Sequence, residues 1–490
     1  MKACSCSWIL VIALLIPIAL PAQEQSEPKK QTAHHYIFFE VPTFGGPNFL
    51  SNFLGPQNSL LSQSGTLVGG ADTSVMDPFC FNCSINDPFV EHAFTFQDGV
   101  LTDLGTLPGG VNSQAFWINA RGLTVGLGQI AEVDPYLGIQ ELRAVVWEHG
   151  RIVDLGTFGG HESLSQAVND RGQVVGIALN TIPDPISPIG FVGTQMRAFL
   201  WEKGVMQDLG TLGGPDAWAR YINNGTQIAG VSFTNSAINP ETGQPTTHAF
   251  LWQHGEMRDL GTLGGTFSEP FGLNNRGQVV GQSNVRGDPG CNGSVDPCVK
   301  HAFFWERGSL KDIGTLGGSY SEALGVNESG EVVGLAGTQN DQANHGFVWK
   351  AGVMTDLGAL TGDDCSIARA INSWGQIVGT SYPCATGSEN AALWDNGAVI
   401  NLNRFVPPGS DLHLTGDDAY INDRGEIAGT ALRPNGDVRA FLLIPCGEIT
   451  EDCRGVAEGA AAAIRSGATP KNSSRSPQPP GTLKGHNPSR

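Results

Sequence analysis

The sequence predicts an all-β fold, and three observations support the prediction. One motif recurs along most of the 490-residue chain: HAF and Trp, then DLGTLGG, then Ser, Ala, Ile-Asn and GQVVG. Each copy divides into four short runs rich in Val, Ile, Phe and Trp and bounded by Gly or Asn, which is typical of strands. No run shows the sustained 3.6-residue periodicity of a helix. The copies begin 44 to 54 residues apart, at His92, Arg143, Arg197, His248, His301, His345, Asn390 and Arg439.

The strands of each copy are joined by short turns. In the copy from His301 the four runs are HAFFW, SLKDIG, SEALGV and EVVG, and an N-x-x-G turn precedes the last. Asn at the first position of a type I turn and Gly at the fourth join antiparallel strands. A period near 50 residues with four antiparallel strands favours propeller blades over a parallel β-helix. The turns are Asn119–Gly122, Asn169–Gly172, Asn274–Gly277, Asn327–Gly330, Asn372–Gly375 and Asn422–Gly425.

The two ends of the repeat region complement each other. Tyr36–Gly46 matches the SLKDIGTLGG part of a copy without an HAF run before it, and Arg439–Pro445 is an HAF run without a DLG run after it. An N-terminal strand that completes the last blade removes exposed sheet edges. The sequence therefore predicts a β-propeller of eight four-stranded antiparallel blades, with seven blades as the runner-up. In this fold the DLG strand is outermost and the Ser-Ala-Ile-Asn strand lines the central channel.

The ends of the chain differ in composition from the repeats. Lys2, an apolar run and small residues near Ala22 are typical of a secretory signal, and the run is shorter than the roughly 20 residues of a membrane span. The last segment carries six basic residues and one acidic residue among Ala, Ser and Pro, which is typical of disorder. We expect a signal peptide at 1–22, a linker at 23–35, one propeller domain at 36–453 and a disordered basic tail at 454–490.

Charge narrows the range of partners. The chain has 47 acidic and 28 basic residues and a formal charge of −19. Nucleic acids and anionic membranes attract clusters of Lys and Arg, so this balance argues against both partners. We expect a monomer without a membrane span, secreted or periplasmic, whose partner is an extracellular protein or carbohydrate.

Eight cysteines remain after the predicted cleavage, an even number that indicates disulfides in an exported protein. Each cysteine shares a loop or one face of the predicted fold with a neighbour in sequence, which predicts four local bridges. Cys80 and Cys83 could instead form a redox pair or half of a zinc site, but no helix is predicted beside them to lower a thiol pKa. The predicted bridges are Cys80–Cys83, Cys291–Cys298, Cys365–Cys384 and Cys446–Cys453.

The His or Arg of HAF and the Asp of DLG are the most prominent charged pairs. Eleven residues separate the two in His301 and Asp312, and the same spacing recurs in His248 and Asp259 and in Arg143 and Asp154. A catalytic site needs one constellation rather than repeated copies, and Arg cannot replace His as a general base. We therefore interpret these pairs as charge-assisted bonds that brace each blade.

Three tryptophans break the repeat and are candidates for ligand binding: Trp117, Trp218 and Trp374. The tryptophan that ends the HAF run recurs, and we expect it to pack between blades. Asp363–Asp364 and Asp417–Asp418 raise the possibility of Ca²⁺, which prefers several oxygen ligands. No other cofactor is predicted and no catalytic residue is nominated, because the sequence has no zinc-protease helix, phosphate-binding lysine loop or serine elbow.

The HAF triplet, DLGTLGG and IN-GQVVG blocks, recurring together and in order, resemble the bacterial HAF-repeat family of probable extracellular repeat proteins. The resemblance covers about residues 36–445. Two copies depart from the family pattern. Glu40 and Asn401 replace the DLG aspartate, and Asn390 replaces the His or Arg of HAF. The resemblance implies export and a repeat scaffold, and it implies no activity.

Long variable loops follow the VVG runs, and variable loops on a rigid scaffold are frequent binding sites. The first functional hypothesis is a secreted, non-catalytic repeat scaffold that binds an unknown extracellular ligand or partner through the face carrying these loops. The alternative is a propeller hydrolase or lyase that acts on extracellular polysaccharide with carboxylates at the channel mouth. Irregular residues are spread over nearly all the loops, which favours binding. The loops are roughly 71–91, 127–142, 179–196, 233–247 and 283–300.

Overall fold

The computed structural model describes residues 35–50, 59–82, 87–184, 193–239, 245–285 and 299–446. Within these ranges every regular element is a β-strand apart from two short 3-10 turns, Gln339–Asp341 and Leu402–Phe405. The predicted all-β class is confirmed. The predicted signal peptide, nearly all of the linker and the tail lie outside the described residues, and so do Cys83, Cys291, Cys298 and Cys453.

In the described part of the chain seven four-stranded antiparallel sheets follow one another, and we number them units 1 to 7. Units 4 and 5 touch through one parallel pair, Thr247 and Phe267. The strands of units 1 to 4 are β2 (Gly45–Leu50), β3 (Leu67–Met76), β4 (Phe89–Gln97), β5 (Val100–Asp103); β6 (Ser113–Ile118), β7 (Thr124–Val133), β8 (Gln140–Glu148), β9 (Arg151–Asp154); β10 (Gly159–Val168), β11 (Val174–Asp184), β12 (Gly193–Glu202), β13 (Val205–Asp208); β14 (Ala217–Ile222), β15 (Ile228–Ile238), β16 (Pro245–Gln253) and β17 (Glu256–Gly261).

The strands of units 5 to 7 are β18 (Gly264–Leu273), β19 (Val279–Val285), β20 (Lys300–Glu306), β21 (Ser309–Asp312); β22 (Gly317–Val326), β23 (Val332–Thr338), β24 (Asn344–Lys350), β25 (Val353–Asp356); β26 (Cys365–Ile371), β27 (Ile377–Tyr382), β28 (Asn390–Asp395) and β29 (Ala398–Asn401). In units 2 to 7 the strand order runs from the Ser-Ala-Ile-Asn strand to the DLG strand, and in unit 1 β2 takes the first of these positions. This is the strand order predicted from the sequence.

An eighth sheet, unit 8, combines both ends of the described chain. It contains β1 (His35–Val41), β30 (His413–Leu414), β31 (Tyr420–Ile421), β32 (Ile427–Leu432) and β33 (Val438–Cys446). β1 pairs antiparallel with β33 and places Phe38 opposite Leu443. The N-terminal strand therefore occupies the edge position that the DLG strand holds in the other units.

Asparagine side chains link each sheet to the next. In units 2 to 8 a turn joins the first two strands, and its first residue is an Asn that we call the turn Asn. The turn Asn Nδ2 donates to the backbone oxygen of the equivalent residue in the following unit, at 2.8–3.1 Å. The last of these bonds joins Asn422 to Ser62, which takes the equivalent position in unit 1. The six predicted turns are present, and Asn223–Thr226 and Ser62–Gly65 add two. The turn Asn residues are Asn119, Asn169, Asn223, Asn274, Asn327, Asn372 and Asn422.

In units 2 to 7 the neighbouring strand requires the glycine of the VVG run. In units 2 to 7 the first strand contains a bulge three residues before the turn Asn. The bulge presses a backbone carbonyl against the second strand, so that a Cβ on Gly176 would lie 1.9 Å from the Leu164 oxygen. Only glycine fits this close approach.

Apolar side chains of the HAF strands fill the space between the sheets. The Phe of HAF has no exposed surface in the copies that carry it, from Phe94 to Phe441. Tryptophans at the end of the same strands, such as Trp147 and Trp305, are also buried. Trp147 clusters with Phe96 of unit 1 and Trp305 with Leu251 of unit 4, so the prediction that the repeated tryptophans pack between successive units is confirmed for these two residues.

Candidate functional site

The repeated His or Arg and Asp side chains contact each other as predicted. His248, His301 and His345 each lie 2.8 Å from the aspartate eleven residues later. His92 and Arg197 make the same contact at 2.9 Å. Arg143 is the exception: it lies 3.9 Å from Asp154 and pairs with Glu141 at 2.7 Å.

Each of these aspartates also shapes the turn that follows it. The second carboxylate oxygen accepts the backbone N–H of the glycine two residues on, as from Gly314 to Asp312 at 2.8 Å. The hydrogen bond with Asp312 raises the pKa of His301. Burial acts to raise the pKa of Asp312, but the bonds from His301 and Gly314 outweigh it and lower that pKa. Both groups are used within the sheet, and the DLG motif is a structural brace.

A cavity of about 210 Å³ lies between seven of the eight units, next to the turn Asn in units 2 and 4 to 8 and next to the equivalent Ser62 in unit 1. We call it the central cavity. The predicted channel-lining strands thus surround a common space, and only unit 3 contributes no residue to it. Its lining residues are Ser59, Leu61, Gln63, Trp117, Tyr221, Gly272, Leu273, Gly325, Val326, Arg369, Ala370, Ile371, Asp417, Asp418, Ala419, Tyr420 and Ile421.

Aromatic side chains at one repeat position line this cavity. The position two residues before the turn Asn carries Ala or Gly in four units, but it is Trp117, Tyr221 and Tyr420 in units 2, 4 and 8. The rings of Trp117 and Tyr221 meet edge to face with centroids 6.4 Å apart, although unit 3 lies between their units in the chain. Burial and the charge of Asp418 raise the pKa of Tyr420 well above its ordinary value. At neutral pH its phenol therefore carries a hydrogen-bonding proton.

An ion pair forms the charged part of the wall. Arg369 of unit 7 donates through its guanidinium to Asp417 of unit 8. The side chain of Asp417 is 54% exposed and that of Arg369 is 24% exposed. Glu389 lies nearby, and burial followed by the charge of Asp417 raises its pKa. The cavity combines ring edges, a phenol and an accessible ion pair, a set that can hold a small polar molecule.

The three irregular tryptophans lie in different environments. Trp117 lines the central cavity. Trp218 is only 6% exposed and is covered by Arg220, whose guanidinium carbon lies 4.2 Å from the ring centroid, so this ring packs in the core. Trp374 is 78% exposed on the turn of unit 7, and its indole N–H donates to the Asp423 oxygen at 2.8 Å. Trp117 and Trp374 therefore present surface that a ligand can reach.

One predicted disulfide is confirmed within the described residues. Cys365 and Cys384 are bonded, with their Cα atoms 5.3 Å apart. Cys80 and Cys446 each take part in a disulfide as well, and the partners predicted for them, Cys83 and Cys453, lie outside the described residues. Asp364, Cys365 and Cys384 are the one group of three metal-ligand types, among the residues described, whose ligand atoms all lie within 4.8 Å. The disulfide removes the thiolates that a metal would need.

The acidic loops expected to attract Ca²⁺ have partners within the protein. Asp363 accepts the Ser381 hydroxyl at 2.8 Å, and Asp364 accepts the Cys384 N–H at 2.6 Å. Asp417 is paired with Arg369. Calcium binding at these two loops stays a prediction.

Sequence reasoning overlooked Arg369, Tyr221 and Tyr420 as site residues. Their signal is positional: counted back from the turn Asn, each departs from the small or apolar residues that most units carry there. The loops that the sequence favoured for binding are described only in part, since 185–192, 240–244 and 286–298 lie outside the described residues. No helix in the described part of the chain is long and apolar enough to span a membrane.

Comparison with known proteins adds little to this description. No family model matches the chain, and no curated protein matches it. Among solved structures, the chain is similar to TolB from Acinetobacter baumannii at 12% identity, over 67% of this chain and 82% of that one, with a TM-score of 0.29. A likeness this distant carries no argument about function, so the proposals below depend on contacts within this chain.

Proposed function

We propose that this protein is an exported, non-catalytic repeat scaffold of the HAF-repeat type, and that its sheets are the eight blades of a closed β-propeller. Three contacts support the ring. β1 pairs with β33, Asn422 donates to Ser62 across the two ends of the repeat region, and seven units line one cavity. The Cys365–Cys384 disulfide supports an oxidising compartment, either extracellular or periplasmic.

The central cavity is the proposed binding site, and the loop-bearing face is its alternative. The observation that carries this choice is the convergence of irregular side chains there. Trp117, Tyr221 and the Arg369–Asp417 pair come from four different units and depart from the residues that most units carry at their positions. Residues shared by all units hold the sheets together, so residues that depart from the pattern and meet in one cavity are the better candidates for recognition.

The chemistry of the wall favours a neutral polar ligand of the carbohydrate class. Aromatic faces and edges pack against the C–H face of a sugar ring, while an ion pair accepts and donates hydrogen bonds to its hydroxyls. The volume of about 210 Å³ is below the roughly 300–1,000 Å³ of pockets for drug-sized molecules. The cavity suits one sugar unit, such as the end of a longer glycan.

A glycan array followed by calorimetry with the best binder tests the proposal. Arg369→Met should weaken binding roughly ten- to hundredfold, because charge-assisted hydrogen bonds contribute about 1.5–3 kcal/mol. Arg197→Met is the matched control, since it makes the same change in an Arg–Asp pair, with Asp208, on the last two strands of unit 3 and outside the cavity lining. Binding that survives Arg369→Met but is lost when residues 286–298 are shortened would place the site on the loop-bearing face instead.

One observation favours the alternative of a hydrolase or lyase acting on extracellular polysaccharide. Glu389 has a raised pKa and lies beside the charge of Asp417, an arrangement that suits a general acid and its carboxylate partner. Release of new sugar ends from a polysaccharide, abolished by Glu389→Gln, would establish this activity. Binding without any such release supports the scaffold.

A further inference from the structure

Unit 1 buries three carboxylates close together. Asp72 on β3 and Glu91 on β4 are directly opposite each other in the sheet register. Asp72 is 0% exposed, Glu91 1% and Asp87 2%. Like charges opposite each other in a sheet are destabilising, and burial away from water adds to that cost.

Two carboxylate oxygens in this cluster accept no hydrogen bond from an N–H group: Asp72 Oδ1 and Glu91 Oε1. The Asp72 carboxyl also lies within hydrogen-bonding distance of the Asp87 carboxyl. The other oxygens are occupied. Asp72 Oδ2 accepts the Asn48 N–H at 2.8 Å, and Glu91 Oε2 accepts the Asn82 amide at 3.0 Å. Asp87 accepts the Asn48 side chain at 3.0 Å and the Phe89 N–H at 3.2 Å.

No basic side chain in the described part of the chain forms an ion pair with these three carboxylates. The charge of Arg439 reaches Asp72, but its guanidinium pairs with Asp437 at 3.1 Å and lies 3.7 Å from Glu40. The cluster holds three acidic groups and amide donors only. It therefore lacks a cation of its own.

The other units show that the fold does not require acidic residues here. In unit 3 the positions of Asp72 and Glu91 carry Leu179 and Met196, which pair in the same register. Gly70 is a further departure, because the residue after the VVG-type glycine has a side chain in every other unit. A Cβ on Gly70 would lie 1.4 Å from Glu91 Oε1. Where unit 3 has an apolar contact between Leu179 and Met196, unit 1 has two carboxylates. The missing side chain of Gly70 leaves the space that the Glu91 carboxylate oxygen occupies.

We propose that Asp72, Asp87 and Glu91 form a binding site for a hard divalent cation of the Ca²⁺ class. All donors are oxygen atoms, and a cation bound to Asp72 Oδ1 and Glu91 Oε1 satisfies both while cancelling the repulsion. The three carboxylates do not all place ligand atoms within 4.8 Å of one another. A bound ion therefore has to draw these carboxylates closer together, and water would complete its six- to eight-fold coordination.

Protons are the competing occupant. Burial, and then the charge of Asp87, raises the pKa of Asp72 to about 7, and burial raises that of Glu91 well above its ordinary range. The cation-free protein therefore holds protons here at acidic pH. Cation binding should release them and should weaken as the pH falls.

The test uses the full mature protein with its disulfides intact, freed of metal with a chelator. Calorimetry with CaCl₂ at pH 7.5 should show one site with proton release, and Ca²⁺ at a hundredfold excess over its Kd should raise Tm by about 3 °C. In Asp72→Asn with Glu91→Gln both effects should vanish. Glu162→Gln, which alters a buried carboxyl in unit 3, should keep them.

A second variant covers the case in which the amide variant does not fold. Asp72→Leu with Glu91→Met copies the unit 3 pair and should fold without any response to Ca²⁺. The proposal is overturned if the wild type binds no Ca²⁺ at this pH, or if binding and the Tm shift persist in either double variant. Persistence would assign the ion to Asp363–Asp364 or Asp417–Asp418.

Discussion

Two ion pairs occupy the same place in different units, and only one of them faces a cavity. Arg220 and Arg369 both stand at the strand bulge three residues before the turn Asn. Each pairs with a carboxylate five residues before the turn Asn of the next unit. Arg220 and Glu269 are 2.6 Å apart with side chains 12% and 16% exposed, whereas Asp417 is more than half exposed.

The residue two positions before each arginine accounts for part of the difference. In unit 4 it is Trp218, whose ring lies under the Arg220 guanidinium. In unit 7 it is Ile367, which offers no such face. The repeat thus gives both ion pairs the same position. The residue two positions before the arginine helps to determine whether the pair is shielded from water or exposed in the central cavity.

The largest expected effect separates the two pairs by stability. Arg220→Met should lower the free energy of unfolding by about 1.5–3 kcal/mol, because it leaves the largely shielded Glu269 with the Gln282 amide, at 3.3 Å, in place of a cation. Arg369→Met should lower it by about 1 kcal/mol or less, since water solvates the exposed Asp417. Chemical denaturation of both variants at one pH measures the contrast. Equal losses would show that the cavity pair is as structural as the sealed one.

Buried carboxyl pairs allow a second comparison, through pH. Burial, opposed by the Leu142 N–H and reinforced by the charge of Asp134, raises the pKa of Glu162 to about 9. Because the folded-state pKa exceeds the unfolded one, Glu162 contributes stability that is full below about pH 4.5 and is lost as pH rises towards 9. Glu162→Gln should therefore be more stable than the wild type at pH 9, by roughly 1–3 kcal/mol.

Thermal unfolding from pH 5 to pH 9 checks the slope of this dependence. Glu256→Gln is the control, since the same change at an exposed carboxylate should leave the slope unchanged. A wild-type slope that Glu162→Gln does not flatten would mean that Glu162 is ionised in the folded protein.

The repeat made the scaffold predictable from sequence. Residue spacing alone predicts the strand order, the turn Asn and the contact between His301 and Asp312. Each of these features depends on residues close in the chain and recurs in several copies of the repeat. The pairing of β1 with β33 was also readable, since the two incomplete copies complement each other.

The candidate site could not be read in the same way. Spacing places Trp117 and Tyr221 at one repeat position, but their contact depends on how far two sheets that are not neighbours in the chain approach across the cavity. Trp218 breaks the repeat as Trp117 does, yet its ring turns into the core under Arg220. The close approach of Glu91 to Gly70 likewise depends on the three-dimensional structure, and neither residue predicts it from the sequence alone.

The smallest expected effect concerns the exposed braces, which resemble the cavity pair more than the sealed pair. Asp312 is 41% exposed, so Asp312→Asn should cost only about 0.5–1 kcal/mol. Asp356→Asn in unit 6 makes the same change in the next sheet, and the two losses should add because the pairs share no partner. Ligand binding should be unchanged in both variants.

The pH dependence of this loss identifies its cause. Because folding raises the pKa of His301, this residue stabilises the fold below its unfolded-state pKa. The stabilisation is lost as the pH rises through its folded-state pKa. The lowered pKa of Asp312 means that its share is present above its unfolded pKa and is lost as pH falls through the folded value. The loss in Asp312→Asn should therefore be greatest near pH 5–6 and smaller above about pH 8. A loss that stays constant from pH 5 to pH 9 would assign the cost to the Gly314 turn rather than to the ion pair.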